Sequence, residues 1–305
     1  QLALKKILEA IYEPRFLNCM YGFRPNRGCH NAIKELYKRL NNTKICYIVD
    51  ADIKGFFDHM KHEWIIKFLY LYIKDPNIIG LVKKYLKVGV IDGGELMMNE
   101  EGAAQGNIIS PILANIYMHN VLTLWYKFII TKECKGDNFL IVYADDFVAG
   151  FQFKWEAENY YKLLKERMEK FGLQLEESKS RLLQSGAYIA RAKQKSGEST
   201  RLETFDFLGF TFYCGRSRKG MPYIMPKTSS KKFRQKIRDI KVWLYANRDQ
   251  SLKKLMGMLN LKLVGHYRYY GISFNGRMIS NYKQQVRELL FKVLNRRSDR
   301  KSYTR

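Results

Sequence analysis

Two adjacent carboxylates, Asp145 and Asp146, lie between the apolar runs of residues 139–143 and 147–151. Two short β-like runs broken by so brief a polar step predict a hairpin with the pair at its turn. Aspartate is common in turns, so a plain solvated turn accounts for the pair by itself. Two charges this close to a core also suit a bound cation that offsets them. A further carboxylate, Asp52, ends a β-like run at residues 44–52, and a turn with Gly55 follows. A strand-end aspartate beside a hairpin pair offers what two Mg2+ ions require: hard oxygen donors, with positions left for water and phosphates. Two such ions about 3.5–4 Å apart activate a hydroxyl for in-line attack on a phosphate and stabilise the departing oxygen. Asp50 is assigned the strand face opposite Asp52, and Asp58 lies past the turn, so both are taken as structural. Gln105-Gly106-Asn107, ahead of Ser110-Pro111, adds a glycine that lets backbone approach a ligand and an amide that can meet a sugar or base.

These residues need elements to hold them. Residues 2–11, 29–40, 64–73, 78–86 and 155–171 read as helices, and 108–128 as one long helix. Residues 205–212 read as a strand running through Gly209. Three amphipathic helices follow, marked by Phe233, Ile237, Ile240 and Leu244, then by Leu252, Leu255, Leu259 and Leu263, then by Tyr282, Val286, Leu289 and Val293. Residues 215–226, rich in Gly, Pro and Arg, read as a linker, which divides the chain into 1–214 and 227–305.

Composition narrows the class. A chain of 305 residues that is 46% hydrophobic can bury a real core. No run approaches the ~20 apolar residues of a membrane span. Five cysteines, odd in number and without a Cys-x-x-Cys pair, point away from disulfides and zinc and toward a reducing compartment, the cytoplasm or an organelle. The formal net charge of +25 suits a polyanionic partner, with nucleic acid the first choice. It is concentrated at residues 227–305, where 21 Lys and Arg face only Asp239, Asp249, Glu288 and Asp299. The five histidines have no metal-ligand spacing, and His59 and His62 are read as helix-start polarity.

The ordered set of motifs resembles that of group II intron reverse transcriptases, also called intron-encoded maturases. The matching residues are Tyr21-Gly22-Phe23-Arg24-Pro25 with Arg27 and His30, then Asp52 through Asp58, Gln105 through Pro111 and on to Asn115. They continue with Tyr143 through Asp146, Gly172 through Leu175 with Lys179, Phe207 through Phe210, and Leu259 through Gly271. The resemblance implies an α+β right-hand polymerase: fingers and an antiparallel palm sheet over 1–214, then a helical thumb, the X domain, over 227–305. It implies an RNA-directed DNA polymerase with two Mg2+ ions, Mn2+ being the alternative ion, held by Asp52, Asp145, Asp146 and the Ile53 carbonyl. Phe57 matches the ring under the incoming sugar that excludes a 2′-hydroxyl, and Gln105 and Gly106 match the loop against the nascent base pair. Lys179 matches a lysine that protonates the departing pyrophosphate. Phe207, Leu208, Gly209 and Phe210 match the primer grip, and Arg24 and Arg27 fall near template and nucleotide. The implied partners are an RNA template, the intron RNA, a DNA primer and dNTPs, with roles in splicing and retrohoming. Two other readings share the resemblance: an RNA-binding splicing cofactor with a silent polymerase site, and a relative recruited to phage defence or spacer acquisition. Ala104 stands where the family usually has Pro, which loosens that turn. The chain begins at Gln1 inside a helical pattern and is expected to be a piece of a longer protein. Set against the family, its N-terminal extension, its first fingers block and a DNA-binding or endonuclease region after the thumb are expected to be absent from these 305 residues.

Overall fold

The computed structural model describes residues 1–87, 90–92, 95–97, 102, 107–178 and 180–297. The chain forms two compact units, residues 1–203 with 216–223, and residues 204–215 with 224–305. In chain order the elements are α1 (Leu2–Tyr12), α2 (Cys29–Asn42), β1 (Tyr47–Asp52), α3 (Phe56–His59), α4 (His62–Tyr70), α5 (Pro76–Lys87), β2 (Val90–Asp92), β3 (Glu95–Met97) and α6 (Ser110–Met118). Next come α7 (Thr131–Glu133), β4 (Asn138–Tyr143), β5 (Asp146–Phe151), α8 (Lys154–Lys170), β6 (Arg181–Gln184) and α9 (Ala187–Lys195). The last are β7 (Phe205–Phe207), β8 (Phe210–Arg216), β9 (Pro222–Thr228), α10 (Ser230–Ala246), α11 (Leu252–Tyr270) and α12 (Gly276–Leu294).

The first unit is organised by an antiparallel sheet of order β4-β5-β1-β6. Strand side chains alternate between faces. Val49, Ala51, Leu140, Val142, Phe147, Ala149 and Phe151 therefore share one face, where they join the core with Leu8 of α1, Leu69 of α4, Ile116 of α6 and Leu164 of α8. Phe147 and Phe151 are fully buried, each worth about 1.5–3 kcal/mol relative to exposure. Asp52 and Asp146 belong to the other parity.

Residues 108–128, expected as a single helix, instead run from α6 into two π-helical segments, His119–Thr123 and Tyr126–Ile130. Side chains compete there for backbone carbonyls: Asn120 Nδ2 donates to Ile116 O (2.8 Å) and Thr123 Oγ1 to His119 O (3.1 Å). That competition widens a helical turn.

In the second unit, β7, β8 and β9 form a three-stranded sheet, and α10, α11 and α12 bury Ile240, Leu244, Leu255, Leu259, Tyr282, Val286 and Val293 together. The sequence expectation is corrected at two places. Residues 205–212 are a hairpin and not one strand, because Leu208 (φ +49) and Gly209 (φ +79) reverse the chain. Residues 215–226 are no linker: β8 and β9 run into them from either side. Pro222, Ile224, Pro226 and Thr228 alternate as a buried face, and an edge strand such as β9 tolerates proline.

Each unit buries one histidine in neutral form. His119 sits in the first π-helical segment with Nδ1 3.1 Å from Thr123 Oγ1. Burial first, then the charges of Arg24 and Lys127, lowers its pKa to about 4. His266 stacks on Tyr282 (ring centroids 3.6 Å apart), and burial followed by Lys236 lowers it to about 4. An unfolded histidine titrates near ~6.5, so between there and pH 4 the unfolded chain holds more protons. The stability is intact above that upper value and is lost as pH falls through the window, up to about 3 kcal/mol per histidine. Melting temperature is expected to drop from pH 7 to 4.5, and the drop to shrink in His119→Gln with His266→Gln. A profile equally steep in the double variant would assign the acid sensitivity elsewhere.

Candidate active site

The register of two strand pairs builds the site. β1 and β5 run antiparallel with Asp52 directly opposite Asp146, and β4 and β5 close with Tyr143 opposite Asp146. Directly opposed residues project to the same face with Cβ atoms about 4.5–5.5 Å apart. Two carboxylates distant in sequence thus stand side by side on the face away from the main core. Both are partly exposed, as is Asp145.

Asp145 occupies the second position of the two-residue turn, after Ala144. Ala144 adopts φ +58, a left-handed conformation costing a non-glycine residue about 1–2 kcal/mol. The turn is shorter than the Ala-Asp-Asp step expected, since Asp146 is already in the ladder. Burial, followed by the Cys29 thiol that hydrogen-bonds it, pushes the Tyr143 phenol up to about 12. The ring stays neutral at any working pH.

Asp50 corrects the sequence reading. Two residues before Asp52, it shares that residue's face, opposite Val148 on β5 and Arg181 on β6. Its Oδ2 lies 3.7 Å from Arg181 Nε, so an ion pair, and not strand parity, sets it apart. Asp58 is exposed on α3, past the turn.

The end of β1 is held from the side. Glu176 N–H donates to Asp52 O (2.8 Å) and Lys54 N–H to Gln174 O (2.9 Å), framing an antiparallel bridge between Ile53 and Leu175. The Ile53 side chain is buried in the core. Ser180 Oγ accepts from Asp52 N–H at 3.4 Å, which ties the segment carrying Lys179 to the site, although Lys179 itself lies outside the described residues.

Gly55 at φ +53 turns the chain into α3. There the Phe56 ring is buried while the Phe57 ring, 5.4 Å away, is partly buried against the same core. Gln105 and Gly106 also lie outside the described residues. Upstream of them, Gly102 N–H donates to Met60 O (2.9 Å), and Gly102 O lies 2.6 Å from His62 Nε2. Gly102 has φ +87, and a Cβ there would come within 2.8 Å of the Phe57 and Asp58 carbonyls. Gly102 is thereby docked beside Phe57, which gives His62 a role beyond helix-start polarity.

Arg24, expected near template and nucleotide, is 7% exposed. Its guanidinium forks onto Glu13 (2.8–3.1 Å) and donates to Leu17 O (2.7 Å) and Met20 O (3.0 Å). It is an interior brace. Arg27 remains at the surface, donating to Asn18.

In the second unit, Phe207 pairs with Phe210 around the Leu208–Gly209 turn. Tyr269 Oη donates to Leu208 O (2.9 Å) and Ser229 N–H to Gly209 O (3.0 Å). A Cβ on Gly209 would lie 3.2 Å from Tyr270 Oη. Sequence reasoning singled out Phe207–Phe210 but read it within one strand, and it missed Tyr269 and Tyr270, which hold the turn, although both stand in the Leu259–Gly271 motif.

Among the described residues, no three His, Cys, Asp or Glu side chains converge closely enough to cage an ion. The arrangement is a cross-strand pair, Asp52 and Asp146, with a third carboxylate, Asp145, one residue before Asp146. Mg2+ keeps several waters and is commonly held by one or two carboxylates together with substrate phosphates, so the donor set fits that ion. Among the described residues, the cysteines form no disulfide. Among the described residues, no helix is long and apolar enough to cross a membrane.

A family model described as reverse transcriptase (RNA-dependent DNA polymerase) matches residues 1–212, and one described as group II intron, maturase-specific domain matches residues 230–305. The group II intron-encoded protein LtrA of Lactococcus lactis subsp. cremoris is 39% identical over 137 residues, 45% of this chain and 22% of that protein. An uncharacterized 91 kDa protein in a cob intron of Schizosaccharomyces pombe is 41% identical over 122 residues, covering 40% and 15%. The matched stretches span less than a quarter of either relative. Among solved structures, apo telomerase from Candida tropicalis aligns with a TM-score of 0.54 at 14% identity, over 96% of this chain and 49% of that one. That likeness speaks to fold alone, and it is the right-hand polymerase fold.

Proposed function

The chain belongs to the group II intron reverse transcriptases, and on that premise we propose that it carries RNA-directed DNA polymerase activity at Asp52, Asp145 and Asp146. The observation that carries the reading is the ladder register that sets Asp52 opposite Asp146. Two like charges directly opposed on a sheet are unfavourable by themselves, and a divalent cation turns that repulsion into a binding site. When bound, two Mg2+ ions would activate the primer 3′-hydroxyl and offset charge on the departing pyrophosphate. The chain's own contribution is positioning. The β1–β5 ladder fixes the carboxylate spacing. The Ile53 carbonyl is offered as a further ligand at the strand end. The partly buried Phe57 ring floors the sugar position and excludes a 2′-hydroxyl, which favours dNTPs. Gln105 and Gly106 would meet the nascent base pair, Lys179 would deliver a proton to pyrophosphate, and the Leu208–Gly209 turn would steady the primer. These roles follow the family motifs residue by residue.

The template is RNA, and the maturase-specific match at residues 230–305 supports binding of the intron RNA in splicing and retrohoming. α10 supports it physically: Lys231, Lys232, Arg234, Lys236, Arg238 and Lys241 are all exposed, with Asp239 the sole acid of that helix. Some six phosphate contacts give a slope of log affinity against log salt of about −4 or steeper. Filter binding from 50 to 200 mM salt reads this directly, and a flat line removes the phosphate-gripping role from residues 227–305. The polymerase reading is tested by extending a DNA primer on an RNA template with the full-length protein and Mg2+ or Mn2+. RNA binding without any extension would leave the splicing-cofactor reading, which the same maturase-specific match favours.

A further inference from the structure

The hairpin carrying Asp145 and Asp146 is walled from outside by residues 19–24. Val142 N–H donates to Cys19 O and Tyr21 N–H to Val142 O, both at 2.8 Å, so Met20 bridges Val142 in parallel fashion along the outer edge of β4. Two residues after Met20, Gly22 lies against the turn itself. A Cβ at Gly22 would come 2.6 Å from Ala144 N, 3.1 Å from Tyr143 C and 3.4 Å from Ala144 Cα. Gly22 is not at positive φ, so what demands glycine is space. Each of those neighbours is backbone and has no rotamer by which to yield.

Gly22 is also held in place. Asn115 of α6, 1% exposed, donates from Nδ2 to Gly22 O at 2.8 Å. Beyond it, Phe23 turns the chain at φ +54, and the buried Arg24 fork bolts the segment to Glu13, Leu17 O and Met20 O. The strap cannot back away from the turn, and the turn cannot relax toward the strap. Ala144, caught between, keeps its left-handed bend, and both acidic residues follow directly in sequence.

From this contact we infer that Gly22 and Asn115 are positioning residues, which set the Asp145 and Asp146 carboxylates by pressing the strap against Ala144. The inference rests on the reading of that turn as the metal-dependent polymerase centre. Neither residue touches substrate or ion. A displacement near 1 Å at reacting groups costs about 10²-fold in rate, and the Gly22→Ala methyl group demands a shift of that order.

The test uses the full-length protein with two variants. Gly22→Ala adds volume against the turn. Asn115→Asp keeps the shape and removes the donor, so it covers the case in which Gly22→Ala fails to fold. Both are expected to lose about 10²-fold in kcat with KM for primer–template unchanged. Both should also bind Tb3+, read by luminescence, about tenfold more weakly than the unmodified protein, with Asp145→Ala as the blank. Adding Ala144→Gly to Gly22→Ala frees the turn to adjust and should recover at least tenfold in kcat. Unaltered kcat and Tb3+ affinity in both variants would overturn the inference. If the unmodified protein extends no primer yet binds Tb3+ through Asp145, the polymerase reading fails and the Tb3+ titration alone decides the strap. If it neither extends nor binds Tb3+, both fall.

Discussion

Asp146→Asn is expected to lower primer extension by about 10³-fold or more, while melting temperature in metal-free buffer stays level or rises slightly. The loss follows from replacing a hard anionic ligand with a neutral amide in a site that fits Mg2+ with so few protein oxygens. A 10³-fold loss corresponds to about 4 kcal/mol of transition-state stabilisation. The stability result follows from register. With no cation present, Asp52 and Asp146 are like charges directly opposed, a pairing that costs about 0.2–1 kcal/mol. Removing one relieves it. Single-nucleotide extension at saturating Mg2+ and a thermal melt in chelator measure the two effects separately. An extension rate near that of the unmodified protein would remove the carboxylate from the chemistry. A large drop in melting temperature would recast it as a structural residue.

Phe57→Ala is expected to shift nucleotide choice, raising the ratio of rNTP to dNTP incorporation by about 10–10²-fold. An apolar ring against the sugar rejects a 2′-hydroxyl by bulk and by offering it no hydrogen-bond partner, and discrimination of this kind is worth roughly 1–3 kcal/mol. The ring is partly buried at the edge of the core that Phe56 fills, so its loss costs less stability than the ~3–5 kcal/mol of a fully buried aromatic. Competing dCTP and CTP on one template reads the ratio directly. An unchanged ratio with lowered kcat for both would make Phe57 a packing residue.

The sequence was legible where local pattern and tertiary demand coincide. Apolar runs on either side of Asp145-Asp146 became β4 and β5, and the run ending at Asp52 became their neighbour, because short continuous apolar runs bounded by turn signals suit strands buried on both faces. The three thumb helices follow their apolar spacing for the same reason. Legibility failed where a residue's meaning depends on a distant partner. Arg24 looks like a ligand-facing cation until Glu13 and two carbonyls are seen to enclose it. Gly22 stands in a recognisable motif, yet nothing local says that its missing side chain accommodates Ala144. The Gly-Pro-Arg composition of residues 215–226 imitates a linker, and only the alternating burial of Pro222, Ile224 and Pro226 reveals a strand. Asp50 was misjudged by simple parity: residues two apart share a face.

Because the paired acids meet through a backbone ladder, the protein should forgive many changes of side chain near the hairpin and very few changes of length. One residue inserted between Asp146 and Phe147 would invert every later position of β5, turning Phe147, Ala149 and Phe151 away from the core they fill. Engineering of this region by grafting or chain extension therefore belongs beyond the ladder, where an added residue carries no parity.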